Sequence, residues 1–168
     1  CGYMALYQPE VARAVGVPVF LSSLLQVPFE HRTLPAGKKI GIIVADSRRM
    51  TRRILANAGV DDSIPYVGAG MEQQPAFWSA IIEETGTLDS DAIEREAVSV
   101  AVSLVKAHPD IGILHLECSN LPPYAAAIQD AVHLPVYDFN TMINLVYSSL
   151  TRPRYAGTRR RGFSNRAA

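Results

Sequence analysis

Two cysteines stand where thiol chemistry is possible, and they are the only two in the chain. Cys118 closes the apolar run "LHLEC" and is followed by Ser119, Asn120, Leu121 and two prolines. Open parallel α/β sheets bind ligands beyond the carboxyl ends of their strands, and Cys118 falls at such an end. The residues after it open a helix, whose first N–H groups have no intrahelical partner and favour an anion. The same setting favours a thiolate, because a helix N-terminus lowers a cysteine's pKa. Ser119 and Asn120 add side-chain donors for a carboxylate. A buried cysteine acting as a small hydrophobe is the competing reading. Cys1 has similar surroundings: it precedes Gly2, where backbone can approach a ligand closely, and then a helical stretch. If residues before Cys1 formed a strand, two strand–Cys–helix seams would face one cleft. One thiolate could then remove a proton while the other thiol delivers one.

The elements that must position these thiols are readable from periodicity. Continuous apolar runs at 17–23 (VPVFLSS), 40–46 (IGIIVAD), 111–118 (IGILHLEC) and around 134–140 (LPVYDFN) predict buried strands, with a weaker strand or loop at "SIPYVGAG". Helices are predicted over 2–14, over "SRRMTRRILANAG" ending at Gly59, over 75–85, over 89–109, over "NLPPYAAAIQDAVH" and over "TMINLVYSSL". The segment 89–109 carries the clearest pattern, with Asp89 or Ser90 as cap and Ile93, Ala97, Val100, Ala101 and Leu104 on one face. Residues 24–39 read as a connection, with two prolines and a glycine. Strands alternating with helices, the strands apolar throughout, predict an α/β fold with a parallel sheet covered on both faces.

With 168 residues the chain is long enough for one domain with a real core, and its 48% apolar and 19% charged residues are ordinary for a globular protein. No run approaches the ~20 apolar residues of a membrane span. No stretch of the sequence reads as a secretory leader, so none is expected, and two distant cysteines do not make a disulfide framework. A reducing, cytoplasmic setting is expected. The net charge of zero hides an asymmetry: all 16 acidic residues precede position 151, and six of the 16 basic residues follow it. The body therefore carries −6 and the segment 151–168 carries +6. That basic tail reads as a solvated terminus, with an arm for an acidic partner or nucleic acid as the alternative. A translated chain begins with Met and this one with Cys, so a processed or longer parent chain is expected.

The segments "CGYMALYQPEVARAVGVPVFLSSLLQVPF", "GKKIGIIVAD" and "HPDIGILHLECSNLPPYAAAIQDAVHLPVYDFNTMI" together resemble the aspartate/glutamate/hydantoin racemase superfamily. The resemblance runs from residue 1 to about 150, and the Cys–Ser–Asn seam is its most specific part. It implies two α/β lobes with the site between them, and cofactor-independent racemisation or epimerisation of an amino acid or related carboxylate by two cysteines. Carried over, Cys1 and Cys118 match the catalytic pair. Gly2, Ser119 and Asn120 match positions that line the substrate carboxylate, and Ser47 matches a further polar contact. Members of that superfamily carry a strand–helix–strand segment before the first cysteine, which is absent here. The N-terminal lobe is thus expected to be incomplete. Residues 1–37 would be its remainder, 38–136 a second lobe, 137–150 a helix returning to the first lobe and 151–168 the tail. A homo-oligomer is implied as well.

Other residues point to less. His115 and Glu117 share a strand face by alternation and read as a hydrogen-bonded structural pair. No cysteine or histidine pair has zinc-ligand spacing, so no metal is expected. "GAGMEQ" lacks the dinucleotide pattern. The four arginines of "SRRMTRR" read as a solvated helix face more than as a phosphate site. Competing functions are a maleate cis–trans isomerase or an arylmalonate-decarboxylase-like enzyme on the same scaffold, an N-terminal-nucleophile hydrolase using Cys1, and a non-catalytic ligand-binding protein.

Overall fold

A computed structural model of the chain describes residues 1–154. The basic tail expected over 151–168 therefore lies almost wholly outside the described residues. Four parallel strands form one sheet: β1 (Lys39–Val44), β2 (Tyr66–Gly70), β3 (Ile111–Leu116) and β4 (Val136–Tyr137), in the order β2-β1-β3-β4. Helices flank both faces, as the alternation of apolar strands and helices predicts: α1 (Gln8–Ala14), α2 (Val27–Thr33), α3 (Arg52–Asn57), α4 (Pro75–Phe77), α5 (Ser90–Ala107), α6 (Ala125–Val132) and α7 (Phe139–Leu150).

Alternation along β1 splits the core into two. Ile43 packs with Leu114, Leu116, Phe77 and the buried stripe of α5, while Ile40, Ile42 and Val44 face Leu24, Val27, Ile54 and Leu55. The α5 stripe is Ile93, Ala97, Ala101 and Leu104, and the Asp89 carboxylate accepts from the Ala92 N–H at 2.9 Å to cap the helix. Gly59 ends the α3 region at φ +81°, a left-handed conformation that glycine adopts without strain.

Three expectations are corrected. Residues 17–22 form no strand. The Gln8 side chain takes the place of a ladder, its amide donating to the Val19 carbonyl at 2.8 Å and its oxygen accepting from the Leu21 N–H at 2.9 Å. Val17 and Phe20 stay exposed, so an apolar run here does not mean burial. The predicted connection at 24–39 instead holds a 3-10 turn (Ser23–Gln26) and α2, because Pro28 sits in the first turn, where its missing N–H costs nothing. The arginines of "SRRMTRR" do not share one helix: Arg48 and Arg49 lie on a 3-10 turn (Ser47–Arg49), and Thr51 caps a separate α3 bearing Arg52 and Arg53.

Candidate active site

Cys1, Cys118, Ser119 and Asn120 line one cavity of about 330 Å³ beyond the carboxyl ends of β1 and β3. Cys1 precedes a 3-10 turn (Gly2–Tyr7), and its carbonyl accepts from the Met4 N–H at 3.1 Å. Cys118 follows β3. Its carbonyl accepts from the Leu121 N–H at 3.0 Å, which turns the chain toward a 3-10 turn (Pro122–Tyr124) and α6. Cys1 is exposed and Cys118 is buried.

The helix-start argument predicts a lowered pKa at Cys118, and the structure corrects its sign. Burial pushes the thiol up, and the Glu117 carboxyl adds to this, while the backbone N–H and side chain of Asn120 pull it back down. Desolvation of a thiolate outweighs a few N–H dipoles when the sulfur is this enclosed.

Gly2 and Ser47 are not among the residues lining this cavity. Gly2 is buried, and a β-carbon there would overlap the Glu117 carboxyl. The Ser47 hydroxyl and N–H both donate to Glu72, the N–H at 3.1 Å, so its donors are already engaged.

Residues that spacing did not single out share the wall, among them Tyr3, Asp46, Arg49, Ile81, Ile82 and Glu84. Asp46 follows β1 just as Cys118 follows β3, so the strand-end rule could have found it. Its carboxylate accepts from Arg48 Nε at 2.8 Å and Arg48 Nη2 at 2.9 Å, and contacts Arg49 Nε at 3.4 Å. The Arg48 guanidinium holds the Asp46 carboxyl below its usual range. The Tyr3 hydroxyl donates to the Asp46 carbonyl at 2.8 Å and accepts from the Asp46 N–H at 2.9 Å, pinning the first turn to the end of β1.

Glu117 does not pair with His115. It is buried, one carboxylate oxygen has no hydrogen-bond partner, and burial pushes its pKa up to about 7. His115 pairs elsewhere: Nδ1 lies 2.7 Å from Glu30 Oε1 and Nε2 lies 3.1 Å from Ser23 Oγ, all three fully buried. Ser23 Oγ also lies 3.3 and 3.4 Å from the carbonyls of Leu116 and Glu117, so the network grips the backbone just before Cys118. His115 and Glu117 share a strand face by alternation, but the partner of His115 is Glu30, which α2 supplies across a long stretch of chain.

Among the described residues no three His, Cys, Asp or Glu side chains cluster as a metal site requires, and no helix is long and apolar enough to cross a membrane.

No protein-family model matches the chain. Curated relatives do. A dimethylsulfoniopropionate lyase of Durusdinium sp. clade D is 32% identical over 142 residues, covering 82% of this chain and 46% of that protein. Dimethylsulfoniopropionate lyases 3 and 6 of Emiliania huxleyi (strain CCMP1516) are each 30% identical over 164 residues, covering 92% of this chain and 42% of theirs. The chain thus spans under half the length of these relatives. Their names overturn the expected racemase membership and, with it, the expected α-carbon inversion and isomerase class. The physical reason is that a thiol at a strand end is compatible with several kinds of proton-transfer chemistry and does not mark which of them a site performs. Whether a deprotonated carbon is reprotonated or expels a neighbouring group depends on the substrate, which the motif does not encode. The chain is similar to dimethylsulfoniopropionate lyases over most of its length.

Proposed function

We propose that this chain carries the thiol-bearing part of a lyase site that cleaves dimethylsulfoniopropionate. The observation that carries the reading is the single cavity lined by Cys1, Cys118, Ser119 and Asn120 in a chain whose relatives bear that name. The substrate joins a carboxylate to a sulfonium through two methylene carbons. In the proposed reaction the Cys118 thiolate removes a proton from the carbon next to the carboxylate. The electron pair of that C–H bond becomes a C=C bond. The C–S bond breaks, and its electrons leave on sulfur as neutral dimethyl sulfide, with acrylate as the other product. The thiol then gives its proton to water. The leaving group departs neutral, so no acid is required, and one thiol suffices as base. Ser119 and Asn120 hold the carboxylate, where negative charge builds as the proton leaves. Cys1 contributes a second thiol to the same wall, and Gly2 makes room behind it.

The proposal keeps a two-lobed organisation, with 38–136 as one lobe and 1–37 and 137–150 belonging to another. In its favour, β1, β2 and β3 fall within 38–136, and β4 (Val136–Tyr137) straddles its end. The α7 helix leaves Ile143, Leu145, Tyr147 and Leu150 exposed, and with Phe20 it forms an apolar groove of about 220 Å³. A face of this kind suits packing against further chain, and the relatives have that length to give. A cytoplasmic location, a small-molecule substrate with no nucleic-acid partner, and a homo-oligomeric state belong to the same proposal.

The test is the full-length protein incubated with dimethylsulfoniopropionate in D₂O. Dimethyl sulfide and acrylate in equal amounts support the reading. Loss of dimethyl sulfide with 3-hydroxypropionate in place of acrylate would replace elimination by displacement.

A further inference from the structure

The wall formed by residues 78–84 has a geometry that proton transfer does not use. Trp78–Ile82 is a π-turn closed by the Glu83 N–H donating to the Trp78 carbonyl at 3.0 Å, a rare form concentrated at functional sites. Glu84 follows in a left-handed conformation at φ +54°, which is uncommon for a residue other than glycine. These two departures from ordinary helix place Ile81, Ile82 and Glu84 on the same cavity as the thiols.

The remaining lining sorts by chemistry. Arg48 is committed, with two nitrogens on Asp46 and its guanidinium 5.5 Å from the Trp78 ring centroid. Arg49 lines the cavity, touches Asp46 through one nitrogen at 3.4 Å, and has a side chain that is 70% exposed, so most of its donors are open to solvent. Tyr3 spends its hydroxyl on the Asp46 backbone and has its ring left to offer. One group of lining residues therefore donates hydrogen bonds: Arg49, Ser119 and Asn120. The other offers methyl and ring surface with one exposed carboxylate: Ile81, Ile82, Tyr3 and Glu84; the Asp46 carboxylate also borders the cavity but is buried and already paired with Arg48 and Arg49.

A dimethylsulfonium has no N–H or O–H to donate. It is recognised by contact with its methyl groups, by an aromatic face and by nearby negative charge. We propose that Ile81, Ile82 and Glu84, with the Tyr3 ring, form the subsite for the sulfonium end of the substrate, and that Arg49 receives the carboxylate end. This rests on the lyase reading and assigns specificity within the same cavity. In that assignment the bond to be broken lies between the two subsites.

The test uses two probes that each carry one end of the substrate, acrylate and trimethylsulfonium, titrated calorimetrically into the full-length protein. Glu84→Gln should weaken trimethylsulfonium about fivefold and leave acrylate unchanged. Arg49→Gln should weaken acrylate at least about tenfold and leave trimethylsulfonium unchanged. Both side chains are exposed, so neither change removes a core contact. Equal weakening of both probes by either variant, no effect of either, or a wild-type protein that binds neither probe would overturn the assignment. Binding is read without turnover, so a wild-type protein that binds both probes but releases no dimethyl sulfide would contradict the lyase reading alone.

Discussion

The backbone of Gly2 lies against the Glu117 carboxyl so closely that no side chain fits between them. The residue after one cavity thiol is thereby fixed against the residue before the other. Gly2→Ala should lower stability by about 1–3 kcal/mol, through the shift forced on a well-packed neighbour. Combining it with Glu117→Ala should cost less than the two single changes together, because the overlap is gone. Urea midpoints of the four proteins measure the coupling.

Glu117 should make folding pH-dependent. In the unfolded chain its carboxyl titrates near the ordinary value of 4.5, and in the folded protein burial raises it to about 7. The folded state therefore keeps a proton that the unfolded chain has lost across this window. Stability is highest below pH 4.5 as far as this group is concerned, and falls as the pH rises to about 7. A shift of this size is worth about 3 kcal/mol. Glu117→Gln should flatten the profile between pH 5 and 8, read by denaturant unfolding at each pH.

The Ser23–His115–Glu30 network should act in folding. His115→Leu leaves the Glu30 carboxyl buried without its partner, and one Glu30 oxygen already has none. The expected loss is about 3–5 kcal/mol, with Glu30→Leu/His115→Leu recovering a large part of it. A double variant as unstable as His115→Leu alone would mean the pair is not a unit.

The chemistry of Cys118 should be alkaline. Burial holds its thiol up, so the rate of the first-order step in substrate should climb above neutral pH, not level off there. Asn120→Ala removes the side chain's pull toward thiolate and should move the inflection to higher pH. A pH–rate profile that plateaus near pH 6 would point to a different base.

The sheet and its helices were legible because β1 and β3 are continuous apolar runs and α5 repeats its apolar residues at helical spacing. The strand-end rule was also enough to place Cys118, Ser119 and Asn120 on the cavity. Residues 17–22 are not legible as non-strand, because apolar composition does not report burial and a distant side chain, Gln8, takes up the Val19 carbonyl and the Leu21 N–H. Tyr3, Arg49, Ile81, Ile82 and Glu84 had no signal of their own. They come together only when the turn after β1 and the π-turn close over the strand ends. The reaction is not legible for a related reason: spacing locates a thiol, while a substrate's leaving group is recorded nowhere in the motif.

The most direct measurement is dimethyl sulfide release from dimethylsulfoniopropionate by the full-length protein, beside Cys118→Ala. Cys118 as the base predicts release by the wild type and a loss of about 10²–10⁴-fold in the variant, the range for removing a positioned base. Release that survives Cys118→Ala undiminished would contradict it.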